Sequence, residues 1–146
     1  LDNFSQDAGT LIGTARFPLD SIGTGTALGG RGGVVSLNSA TLSLLFLHSN
    51  GNIRTYDGTG QYTAGLAFAA DEEVTMQVTW DASISKFQIW ATSDSGTATS
   101  GLVAYDGAFT IGTVINYLYG MGLSVNMLDW VLTKSAVFTD KTGKDS

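Results

Sequence analysis

Between Val74 and Trp80 the chain reads VTMQVTW, four apolar residues alternating with Thr75, Gln77 and Thr79. A period of two marks a strand with one face on a core, so Val74, Met76, Val78 and Trp80 are expected to be buried together. After Asp81 and a small-residue turn, KFQIW opens a second strand. Phe87 and Ile89 share one face there, but Trp90 falls on the other, with Lys86, Gln88 and Thr92. One tryptophan is therefore expected in the core and the other among amides and hydroxyls.

The same alternation recurs along the chain. TLIGTARFPL places Leu11, Ala15, Phe17 and Leu19 on one side, with Thr14 and Arg16 on the other. LSVNM sets Leu123, Val125 and Met127 against Ser124 and Asn126. TLSLLFLHS is apolar on both faces and reads as a central strand, although a short buried helix fits the pattern too. Asn50-Gly51, Asp57-Gly58 and Asp106-Gly107 supply turns, because these residues tolerate positive φ. Nowhere does a 3.6-residue period hold for three turns. Ten to twelve strands are expected, enough for two packed sheets. SDSGTATSG (93–101) reads as a mobile loop. Residues 1–140 read as a single β-sandwich domain and 141–146 as a flexible C-terminal tail.

Composition narrows the classes. The chain has 146 residues, sufficient for one domain with one sizeable core. Only 14% are charged, against roughly 25% in an average soluble domain. Gly (19), Thr (18) and Ser (14) exceed a third of the chain, so its polar surface is expected to be hydroxyl and backbone. Little like-charge repulsion then opposes contact between copies. The net charge is −6 and the seven basic residues are scattered, so a nucleic-acid partner, which needs a basic stripe, is set aside. With no cysteine, disulfide frameworks and thiolate metal sites are excluded. The densest apolar run, LSLLFL, is far short of the roughly 18 residues of a membrane-spanning helix. No membrane insertion is expected.

MQVTWDASISKFQIWATSD resembles the central hairpin of laminin-G-like and concanavalin A-like jelly-roll domains. AGTLIGTARFPLDSI is similar to their opening strand, GGVVSLN and LSLLFLHSNGNIRTYDG to the early hairpins, and MLDWVLTKSAVF to the closing strand. The resemblance implies an all-β fold, a two-sheet antiparallel jelly-roll sandwich of the concanavalin A-like type. It leaves function open, because such a fold hosts lectins, hydrolases, lyases and structural modules.

The chemistry these relatives carry is sparse in this chain. Glycosidases of the fold need two carboxylates flanking the scissile bond, yet Glu72 and Glu73 are the sole glutamates. As strand neighbours they point to opposite faces. No enzymatic activity is expected. His48, the single histidine, reads as a strand-end residue bonded locally. Laminin-G-like and pentraxin-like relatives often hold calcium in loops, for which Asp57, Asp81, Asp106 and Asp129 are candidates by type. Asp57, Asp81 and Asp106 begin tight turns, however, where an Asp accepts backbone N–H bonds without a metal. No cofactor is expected.

The aromatics remain. Trp90 with Gln88 on its own strand and Gln77 across the hairpin makes an aromatic plate ringed by polar groups, which Arg54 and Tyr56 on another strand could extend. Three readings of that plate stay open: cover by a loop of the same chain, contact with another subunit, or a platform for a sugar ring. The leading expectation is a non-enzymatic structural or interaction module of an extracellular or virion assembly, such as a fibre, capsid-decorating or surface-filament subunit. Its partners would be copies of itself or other subunits. The alternative is a carbohydrate-binding, lectin-like module, and a degenerate glycoside hydrolase or lyase comes third.

Overall fold

The computed structural model describes residues 5–16, 32–38, 43–49, 52–56, 61–64, 72–105 and 126–143. Among them are ten strands and no helix: β1 (Ala8–Arg16), β2 (Gly32–Asn38), β3 (Ser43–Ser49), β4 (Asn52–Tyr56), β5 (Gln61–Ala64), β6 (Glu73–Asp81), β7 (Lys86–Ser93), β8 (Gly96–Thr99), β9 (Val103–Ala104) and β10 (Asn126–Thr133). All pairings are antiparallel. One sheet of six strands runs β10-β1-β6-β7-β8, with β9 also on β7, and a four-stranded sheet runs β2-β3-β4-β5. The architecture is all-β and antiparallel, as a β-sandwich requires. LLFL lies in β3, between β2 and β4, so the run that is apolar on both faces is a strand. Ser49 pairs with Asn52, and Asn50-Gly51 lies outside the described residues.

The alternation around Trp80 is realised. Val74, Met76, Val78 and Trp80 are fully buried, as are Leu11, Ala15, Phe87, Ile89 and Ala91. Cross-strand register brings Leu11 to Val78 and Val78 to Ile89, so the apolar sides of β1, β6 and β7 merge into one core face. Tyr105 closes its end, edge-on to Phe87 at 6.2 Å, with its hydroxyl donating to Gln6 O at 2.6 Å. Phe17 and Leu19 lie outside the described residues, as do Leu123 and Val125.

Trp80 needs a gap to enter this core, and Gly9 supplies it. The two are register partners. A Cβ on Gly9 would collide with Trp80 Cζ2 and stand 2.9 Å from Thr133 O, a main-chain atom. The indole is also tethered, donating from Nε1 to Ser5 O at 2.9 Å. Gly9→Ala is therefore expected to cost about 1–3 kcal/mol by overpacking, read as a lower midpoint in denaturant unfolding. An unchanged midpoint would mean that the ring has room to shift.

The stretch 93–101 differs from its reading as a loop. Gly96–Thr99 forms β8, hydrogen-bonded to β7 with Ser93 opposite Gly96 and Trp90 opposite Thr99. Its mostly exposed side chains carry no apolar alternation, so the periodic signal was missing. The hairpin is held by polar bonds instead. Thr92 and Thr97 hydroxyls are 3.0 Å apart, Gln88 Nε2 donates to Thr99 Oγ1 at 2.8 Å, and Thr99 Oγ1 donates to Ile89 O at 2.8 Å. The left-handed φ of Gly96, 141°, suits a residue without Cβ at the turn.

Candidate functional site

The second face of the six-stranded sheet carries the candidate residues. β1 contributes Thr10, Ile12 and Thr14; β6 contributes Thr75, Gln77 and Thr79; β7 contributes Gln88, Trp90 and Thr92. Register sets Thr10 beside Thr79, Ile12 beside Gln77, and Gln77 beside Trp90. Alternation along each strand is local, so these residues share a face once the pairing is fixed.

This face is closed by the chain itself. β10 ends at Thr133, and residues 135–142 turn back across β1, β6 and β7. Thr10 Oγ1 donates to Ser135 O at 2.8 Å and accepts from Val137 N at 3.0 Å. Thr79 Oγ1 donates to Val137 O at 2.8 Å. Gln77 is the centre of the clasp. Its Nε2 donates to Val137 O and Thr139 O, both at 3.1 Å, and its Oε1 accepts from Lys141 N at 2.7 Å. Farther along, the Thr142 hydroxyl lies 2.5 Å from that of Thr92. Asp140 accepts from Thr142 N at 2.8 Å, fixing the last turn.

These bonds explain three polar side chains that would otherwise be costly to bury. Gln77 and Thr79 are fully buried, and Thr10 is 3% exposed. Trp90 is 6% exposed. The anchors on Gln77, directly opposite, and on Thr92, two residues along, bracket it. The indole is thus buried between two anchors of a strap of its own chain. Lys141 and Thr142, read from sequence as part of the tail, belong to this strap, and Thr142 is buried.

The other candidates are dispersed. Gln88 is half-buried and engaged with Thr99. Arg54 and Tyr56 lie on β4 of the other sheet, opposite Thr63 and Gln61, and their side chains fall outside the described part. Backbone contacts bring β4 and β5 near β7. Glu72 accepts from Ser95 N at 2.8 Å and from its hydroxyl at 2.9 Å, clamping the β7–β8 turn. Glu73 pairs with Arg16 across β1 and β6 at 3.0 Å, with both side chains nearly half exposed. The two glutamates therefore serve different partners. Asp81 caps the β6–β7 turn, accepting from Ser83 N at 2.9 Å and Ser83 Oγ at 2.6 Å. Asp129 is exposed on β10, whereas Asp57 and Asp106 lie outside the described residues. Among the described residues, no three His, Cys, Asp or Glu side chains gather as a metal-binding group. No helix among them is long and apolar enough to cross a membrane. His48 pairs in register with Gly32 and Ile53.

Sequence reasoning missed Thr10 and the strap, and read Thr79 only as a polar position of its strand. The threonines left a trace, since each faces a hydroxyl across the ladder: Thr10 and Thr79 oxygens are 3.2 Å apart, as are those of Thr14 and Thr75. The strap left none, because it is held mainly through its main chain.

The fold and this face define an all-β antiparallel protein whose six-stranded sheet is covered on its polar side by residues 135–142 of the same chain. Comparison with protein-family models and with curated proteins finds no match.

Proposed function

We propose that the chain is a non-enzymatic structural or interaction module of an extracellular or virion assembly, a fibre, capsid-decorating or surface-filament subunit built on a concanavalin A-like jelly roll. The observation that carries this reading is the edge formed by β10. Among the described residues this eight-residue strand pairs with β1 alone. Its sequence, NMLDWVLT, contains one charge, Asp129, and Val131 is 59% exposed. An unpaired edge is a row of free main-chain donors and acceptors, and proteins that remain apart blunt such edges with charge, proline or a bulge. β10 carries Asp129 and one register irregularity against β1, opposite Gly13 to Ala15, but its eight residues include no proline and a single charge, and the rest of the edge fits strand addition from another copy. The low charge of the whole chain works in the same direction.

Closure of the Trp90 face supports this choice over the sugar platform. Gln77, which would bond sugar hydroxyls, spends its amide on residues 137–141. A pyranose would have to displace the strap to stack on Trp90. The separate engagements of Glu72 and Glu73 favour a structural use of both carboxylates.

Light scattering across a wide concentration range tests the proposal. A defined oligomer or filament is expected, and Val131→Lys is expected to lower its mass without lowering the unfolding midpoint, since the side chain is exposed. A strict monomer would sink the assembly reading. Quenching of tryptophan fluorescence by a glycan would favour the carbohydrate-binding module instead.

A further inference from the structure

The strap is bound in an unusual way for a segment that closes a core. Of its contacts with Thr10, Gln77 and Thr79, every one is made to a strap main-chain atom: Ser135 O, Val137 N and O, Thr139 O and Lys141 N. The strap's own side chains are half-buried at Ala136, Val137 and Phe138 and exposed at Ser135, Thr139, Asp140 and Lys141; only Thr142 is buried. The sheet face is therefore a groove that reads an extended main chain and places few demands on the side chains it carries.

The hinge is short as well. β10 ends at Thr133 and the first anchor is Ser135 O, so Lys134 alone joins the sheet to the strap. Short hinges favour exchange of an element between identical chains, because every contact made within one chain can be remade between two. The hinge also adjoins the β10 edge, where a neighbouring copy would pair.

We propose that this face is a peptide-binding groove and that its partner ligand is residues 135–142 of a second copy, exchanged between adjacent subunits. The inference rests on the assembly reading and adds the segment that links the copies. Within one chain the strap has an effective concentration on the order of millimolar, as for short flexible linkers. Exchange thus prevails where copies are packed side by side, and the closed form prevails in dilute solution. The strap keeps the groove filled until a neighbour arrives.

The absence of cysteine allows a direct test in the full chain. The Thr92 and Thr142 hydroxyl oxygens are 2.5 Å apart, so sulfur atoms in their place lie close to the disulfide distance of about 2.05 Å. The double variant Thr92→Cys/Thr142→Cys, treated with oxidised glutathione when dilute, should close within one chain and migrate as a monomer. Failure to close would show that the strap is not seated, overturning the proposal. The single variants Thr92→Cys and Thr142→Cys, mixed at rising concentration, should give a disulfide-linked heterodimer in excess over either homodimer. No such excess at any concentration, with the double variant closing normally, would overturn exchange. An oligomer seen by light scattering without this heterodimer leaves the assembly reading standing and removes the exchange. A strict monomer removes the assembly reading itself.

Discussion

Trp90→Ala should destabilise the protomer by about 3–5 kcal/mol, the usual cost of emptying a large aromatic site. The indole is 6% exposed on the face that sequence alone reads as polar. It is flanked by Gln77 on β6 and Thr99 on β8, and the strap is pinned on either side of it. Truncation leaves a cavity beneath a segment tied down by hydrogen bonds, so collapse is limited and the loss should fall well above the one-kcal scale of surface changes. Equilibrium denaturation reads this as a lower midpoint at unchanged slope. Oligomer mass, measured below the unfolding transition, should not change, because so little of the ring reaches the surface. A variant of native stability would show that the ring is not packed beneath the strap and refute the closed-face description.

Gln77→Leu attacks the same closure from the sheet side. The replacement is similar in size and apolar, so it fits the site while removing both ends of the amide. Thr139 O and Lys141 N then lose their partner, whereas Val137 O retains Thr79. Each buried group left unsatisfied costs about 1–3 kcal/mol. The strap can lower that cost by lifting into water, which would uncover Trp90. The expected result is therefore a destabilised protein with faster tryptic cleavage after Lys134 and Lys141. Gln77→Glu separates the two ends of the clasp: it keeps an acceptor for Lys141 N and loses both donors, so it should release the strap around residue 139. Cleavage at the native rate in Gln77→Leu would show that the Thr10 and Thr79 bonds suffice.

Much of the fold was legible because strand alternation is a local property of the pleat. Val74, Met76, Val78 and Trp80, Leu11 with Ala15, and Phe87 with Ile89 could be assigned to one face from spacing alone, and all are buried. Asp81 reads as a turn residue because an Asp side chain satisfies nearby N–H groups, and it does so here with Ser83. β8 escaped the same reasoning, for its Thr97 and Thr99 are stabilised by hydroxyl bonds to an adjacent strand and show no apolar rhythm.

Strand alternation alone assigns side chains to faces, including Trp90 to the side opposite the apolar core. What lies on that side follows from the folded chain. Gln77 meets Val137 across 60 positions of chain, and Thr10 meets the same residue across 127. No local rule connects them. The physical reason lies in the kind of bond: the strap is gripped by carbonyl and N–H groups that nearly every residue possesses, so its docking writes no pattern into its own side chains. A buried amide at position 77 signals that a partner is needed, and the folded chain decides that the partner is its own main chain.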